Sequence, residues 1–264
     1  AKCYIEADRL QINDPIYCGR VNVCMGYICK QNHNDSLALI YYDRANVHFN
    51  GTTEWYYAQT LLDKSELNVK LSRFIVADSI LQIAQSYQLD SAYQARYYET
   101  KGLYFYERQQ YDSALVYFNQ GLNYWQSEKE KCFSYLKVMQ AYYLSKISID
   151  SVVHYANKLI RTSNNPNYIS NAYYCLMQDA KNKDNVELLS QYSHARTDAQ
   201  KVLRAAMVED AQATPLLAEY LKNPFPMRWI RIVLFAFVAL CIVLLLVLFA
   251  YRKYTITRIH VSDA

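Results

Sequence analysis

Between residues 232 and 250 the chain reads IVLFAFVALCIVLLLVLFA, nineteen consecutive residues without a charge. At 1.5 Å per residue such a helix is ~28 Å long, close to the ~30 Å thickness of bilayer hydrocarbon. Lipid offers no partner to backbone polar groups, so a lone segment of this kind can only be helical there. Phe225 and Trp229 stand before the run and Tyr251 and Tyr254 after it, where amphipathic rings favour the headgroup layer. Arg228, Arg231, Arg252 and Lys253 lie where they can reach phosphates. We therefore expect a transmembrane helix over 228–251, with Trp229, Arg231, Tyr251, Arg252 and Lys253 at the membrane interfaces and a short tail over 252–264.

The flanks of this segment account for the chain's charge. The formal net charge is +4, from 28 basic and 24 acidic side chains. Lys222, Arg228, Arg231, Arg252, Lys253 and Arg258 hold six of the basic residues and Asp263 one of the acidic ones, which leaves 22 against 23 over residues 1–221. A nearly neutral domain is not a nucleic-acid footprint, and no nucleic-acid partner is expected. The chain begins Ala-Lys-Cys, with neither an initiator Met nor an apolar leader. That start suggests a processed product or a fragment.

Five glycines and five prolines, the latter at 15, 166, 215, 224 and 226, leave long stretches free for helix. Apolar residues recur at helical rather than alternating spacing. Ala95, Tyr98, Gly102 and Phe105 share one face, and Ala114, Leu115, Phe118 and Leu122 repeat after a turn near Gln109 to Tyr111, with Asp112 and Ser113 as cap-type residues. An Asp, a polar residue and an apolar one recur at Asp35, Asp78, Asp112, Asp150 and Asp184, separated by 43, 34, 38 and 34 residues. Each interval is about the length of one helix pair.

The hairpin over 95–126 resembles the tetratricopeptide repeat. Tyr98 stands at the family's large aromatic position, Gly102 at its small residue for close helix approach, Phe105 at its second aromatic, Ala114 at the small position opening the second helix and Phe118 one turn later. Lys101 replaces a usual aliphatic, Gly121 a usual alanine and Gln126 the proline that often ends the unit. Looser units follow, with Ala141, Leu144, Val152, Ala156 and Leu159, and precede, with Gly26, Cys29, Leu37 and Tyr41. The expected fold is all-α: an N-terminal segment over 1–14, a tetratricopeptide-like solenoid of helical hairpins over 15–204, and a capping helix with a Pro-containing joint over 205–227. One transmembrane helix follows. Such arrays bury their apolar faces between neighbouring pairs.

Twenty-seven tyrosines include adjacent pairs at 41/42, 56/57, 97/98, 142/143 and 173/174. Neighbouring helix positions point about 100° apart, so one ring of a pair can pack while the other faces away. The resemblance implies that the first helix of each pair lines a concave groove, which makes Tyr97, Tyr142 and Tyr173 candidates for gripping a protein or peptide partner.

No catalytic residue, metal ligand set or cofactor site is expected. Cys24, Cys29 and His33 would stand about 140° and 180° from the first on a helix and do not converge. His48, His154, His194 and His260 have no recognisable nucleophile or acid beside them, and no phosphate-cradling loop occurs. Seven irregularly spaced cysteines do not form a disulfide framework, though single bridges stay open. We expect a membrane-anchored interaction module and not an enzyme. The chain resembles the extracytoplasmic half of tetratricopeptide-bearing membrane regulators of the Bacteroidetes group, which implies a sensor or regulatory protein with a periplasmic array in a bacterial inner membrane. The alternative is a cytosolic scaffold or chaperone-docking protein held by a tail anchor. Three basic residues on each side of the span leave both orientations open.

Overall fold

The structure, a computed structural model, describes residues 14–50, 54–87 and 89–211. All of these belong to the first of two units into which the chain divides, Ala1–Thr214 and Pro215–Ala264. The apolar run 232–250 and the interface residues Trp229, Arg231, Tyr251, Arg252 and Lys253 lie outside the described residues, among which no helix is long and apolar enough to cross a membrane. Ten helices and no strand occur among the described residues. They form five consecutive hairpins: α1 (Pro15–Gln31) with α2 (Asp35–Phe49), α3 (Glu54–Lys70) with α4 (Phe74–Gln85), α5 (Ser91–Glu107) with α6 (Tyr111–Tyr124), α7 (Cys132–Ser145) with α8 (Ile149–Thr162), and α9 (Pro166–Asn182) with α10 (Val186–Ala211).

Every hairpin turns on one residue of left-handed backbone. His33, Ser72, Gln109, Lys146 and Asp184 have φ between 51° and 60° and follow one another at intervals of 37 to 39 residues. Around four of them the amide of the next residue donates across the turn to a carbonyl five residues back, Asn34 to Cys29, Arg73 to Asn68, Gln110 to Phe105 and Asn185 to Ala180, at 2.8 to 3.0 Å. These bonds satisfy carbonyls that the helix end would otherwise leave unpaired. The next helix then starts within a few residues, so the two lie side by side.

Where they cross, side-chain volume is shared between two positions. A Cβ added to Gly102 would lie 2.5 Å from Cδ1 of Phe118, and one added to Gly26 would lie 2.7 Å from Cε1 of Tyr42. Each glycine stands seven residues before its turn residue, and each ring belongs to the eighth residue of the second helix. The same two positions hold Ser65 and Leu81 in the second hairpin and Met139 and Ala156 in the fourth, all four buried. Small against large, intermediate against intermediate, and large against small each fill about the same space, as close packing requires.

Neighbouring hairpins join by packing the second helix of one against the first helix of the next, as α2 does on α3, α4 on α5, α6 on α7 and α8 on α9. First helices also touch in series, α3 on α5, α5 on α7 and α7 on α9. The core is accordingly a series of clusters along the array, one mainly in the second and third hairpins and another in the fourth and fifth.

Several sequence expectations shift by a residue or more. Gln110, not Asp112 or Ser113, is the N-cap of α6, and Asp112 lies in its first turn, where its charge suits the helix dipole. Asp78 is inside α4, and Asp184 is itself a turn residue, so the recurring Asp drifts against a period that the turns keep. In the first unit Ala38 and Tyr42, not Leu37 and Tyr41, occupy the positions of Ala114 and Phe118, because α2 begins at its Asp whereas α6 begins one residue earlier. Leu144 is 46 % exposed, on the outer side of α7. The boundary expected between 204 and 205 is no break in the helix, since α10 runs unbroken from Val186 to Ala211.

The crossing is tested by substitution. Gly102→Ser should lower the unfolding free energy by about 1–3 kcal/mol through overpacking. Adding Phe118→Leu, which reproduces the Ser65 and Leu81 pair, should restore most of the loss, as read by urea unfolding.

Candidate functional site

On the first helices, residues three, four and seven apart share a face. The face of α5 that carries Arg96, Glu99, Thr100 and Leu103 meets Glu66 of α3, Phe133 of α7 and Tyr168 of α9 around a cavity of about 310 Å³. Four consecutive first helices thus contribute to one site.

Polar contacts pass along this face from one first helix to the next. The Lys30 ammonium of α1 lies 2.6 Å from Oε1 of Glu66, and the Arg96 guanidinium lies 2.6 Å from Oδ1 of Asp63 while its other amino group donates to Gln59. One step on, Oε1 of Glu99 accepts from Trp125 Nε1 at 2.7 Å and from the Ser134 hydroxyl of α7. The side chains of these two ion pairs are 18–33 % exposed, and partly buried pairs of this kind add on the order of 1 kcal/mol each. Their main effect is to fix the register of successive hairpins and to hold the lining side chains still.

Glu99 is the odd member. It is 7 % exposed, and burial pushes its carboxyl up to about 7, against the lowering by Ser134, Trp125 and the Arg96 charge, with Glu66 adding to the rise. Lys137, further along α7, has its ammonium 4.7 Å over the Tyr106 ring, and burial lowers its pKa in spite of Glu107 and Glu66.

The tyrosines singled out from sequence occupy other positions. Tyr97 is 4 % exposed, and its hydroxyl accepts from Lys101 Nζ at 3.2 Å. Its equivalents, twelve residues before each turn residue, are Val21, Thr60, Ser134 and Ala172, all buried. Tyr142 precedes its turn residue by four, as Phe105 does, and the two make the same contact: Tyr142 stacks on Tyr155 at 6.3 Å and Phe105 on Tyr117 at 5.1 Å. Tyr173 matches Tyr98, eleven before the turn, and lies 6.1 Å from Tyr192 where Tyr98 lies 5.4 Å from Tyr124. The three therefore pack within hairpins or between them, and the structure does not bring them together. Ala114 and Phe118, by contrast, sit fully buried at the α5/α6 crossing.

Cys29 is buried in α1, while His33 stands in the turn beyond its end. Burial pushes the thiols of Cys29 and Cys175 up to about 11. Among the described residues no three His, Cys, Asp or Glu side chains are grouped as metal ligands would be.

With this geometry in hand, the comparison with known proteins is narrow. The sequence matches no family model and no curated protein. Among solved structures it is similar to BtubC (BKLC) from P. vanneervenii, with a TM-score of 0.60 and 15 % identity over 77 % of this chain and 89 % of that one. The fold is that of a helical repeat protein. YrrB, described as a TPR protein with an unusual peptide-binding site, aligns over 79 % of this chain and 97 % of its own at a TM-score of 0.44 and 12 % identity.

The raised Glu99 pKa predicts a stability profile. The folded state holds this proton up to about pH 7, whereas an unfolded glutamate releases it near 4.3, so the stability that Glu99 contributes is complete in acid and is lost as pH rises toward 7. Glu99→Gln keeps an acceptor for Trp125 and Ser134 without the charge. It should match the wild type near pH 4 and exceed it by up to about 3 kcal/mol at pH 8, as measured by urea unfolding at both values.

Proposed function

We propose that this chain is a membrane-anchored, non-catalytic interaction module whose array receives a peptide or helix of a partner protein on the face formed by α3, α5, α7 and α9. The observation that carries this reading is the cavity around which four first helices present Glu66, Arg96, Glu99, Phe133 and Tyr168. Aromatic area beside charged groups is the composition of binding hot spots. The ion pairs and hydrogen bonds behind it hold the lining before any partner arrives, which lowers the entropy lost on binding. Anchoring rests on the apolar run 232–250 with its aromatic and basic flanks. The resemblance to Bacteroidetes regulators favours a sensor or regulatory protein with the array outside the cytoplasm. A tail-anchored cytosolic scaffold is the second reading, kept by the equal basic flanks.

Peptides selected from a random library on the full chain should bind the Phe133→Ala/Tyr168→Ala double variant at least about tenfold more weakly, while Val116→Ala, on the exposed side of α6, changes nothing. Unchanged affinity in the double variant contradicts the binding face. For the anchor, carbonate extraction should leave the full chain in membranes and release a variant lacking 232–250. Protease added to intact spheroplasts should digest the array, whereas protection of the array supports the cytosolic scaffold.

A further inference from the structure

Lys101 departs from the tetratricopeptide pattern, which places an aliphatic residue there, and the partner face does not use it. It lies on the other side of α5, in a second cavity of about 670 Å³ between the end of α4 and the α5/α6 hairpin. Its ammonium donates to the Tyr97 hydroxyl at 3.2 Å and sits 4.9 Å over the Tyr117 ring. No carboxylate lines this cavity, so the site carries one uncompensated positive charge. An aliphatic side chain would fill the same space without desolvating a charge.

The donors point to an oxyanion. An ammonium has three N–H groups and no acceptor. The Tyr97 oxygen takes one of Lys101's, which leaves two N–H groups and the Tyr97 phenol proton to be given to a ligand, with Tyr117 on the same wall. Tyr97 is almost wholly buried, so its hydroxyl is fixed in place. The remaining walls are suited to a hydroxylated ring. Tyr98 and Tyr124 stack with their planes 19° apart, and Tyr124 is 39 % exposed, which leaves its outer face open as a platform. The carboxamides of Gln85, Gln94 and Gln120, each able to donate and to accept, complete the lining. The volume falls in the ordinary range of small-molecule sites, about 300–1,000 Å³.

We propose that this cavity binds an acidic saccharide, with its carboxylate or phosphate held by Lys101, Tyr97 and Tyr117 and its ring laid against Tyr124. The site is separate from the partner face and does not rest on it.

Titration calorimetry on the full chain in nanodiscs tests this, with galacturonate and glucose phosphate as the acidic probes. Neutral galactose, inorganic phosphate and para-hydroxybenzoate are the comparisons. The acidic sugars should bind at least about tenfold more tightly than each comparison. Lys101→Met restores an aliphatic residue and should keep the melting temperature within about 4 °C while weakening the acidic sugars at least about tenfold. Tyr124→Ala should weaken them as well. The proposal fails if the acidic sugars do not bind or if Lys101→Met binds them as the wild type does. It also fails if phosphate or para-hydroxybenzoate binds as tightly as the sugars.

Discussion

A single left-handed residue closes each of the five hairpins, and the rest of the array is in register with it. For a residue with a Cβ that conformation costs about 1–2 kcal/mol, yet His33, Ser72, Gln109, Lys146 and Asp184 all adopt it, none of them glycine. The cost is offset because the turn returns the chain within a few residues, satisfies the carbonyls at the helix end and brings two apolar faces together. Counting back from it locates the crossing residue at seven positions, with Phe105 and Tyr142 at four and Tyr98, Tyr135 and Tyr173 at eleven. The buried inter-hairpin position lies at twelve. The α5 residues of the partner face, Arg96, Glu99, Thr100 and Leu103, stand thirteen, ten, nine and six positions before Gln109, none of them the crossing position.

That arrangement separates stability from recognition on the same helix. On α5, Tyr98, Gly102 and Phe105 face α6, and Tyr97 and Tyr104 pack toward the preceding hairpin, where Tyr104 meets Phe74. Arg96, Glu99 and Leu103 are left for the cavity. One seventeen-residue helix thus serves three interfaces, and the Lys101 cavity opens where two of them meet. Glu99 shows the cost of combining roles, since a carboxyl that links α5 to α7 through neutral donors is held largely out of water.

The third hairpin was the most legible in the sequence because Tyr98, Gly102, Phe105, Ala114 and Phe118 all fall at positions of the tetratricopeptide pattern, whereas the first hairpin, with the same glycine-and-ring crossing at Gly26 and Tyr42, has Asn22 and Cys29 where Tyr98 and Phe105 stand. The fourth was harder to read, since Met139 and Ala156 fill the same volume in the opposite order, and packing constrains the sum rather than either residue. The turn at Gln109 was visible, because two periodic runs break between Gln109 and Tyr111; the other turns were not, since no residue type marks them and backbone geometry and a bond between main-chain atoms define them. Tyrosine pairs signalled that one ring packs and its neighbour does not. They could not say which, and Tyr142 and Tyr173 prove to be the equivalents of Phe105 and Tyr98. Arg96, Glu99, Phe133 and Tyr168 stood out neither by motif nor by spacing, because they come from three helices and meet only when the hairpins stack.

The central claim is that the face shared by α3, α5, α7 and α9 is where a partner docks. Photo-crosslinking amino acids placed singly at Phe133 and Tyr168, and at the exposed second-helix positions Ile83 and Val116, would test it in living cells on the full membrane-bound chain. A discrete crosslinked partner from the first two positions and none from the other two is the predicted result. Crosslinks that arise only from Ile83 and Val116, or equally from all four, would contradict it.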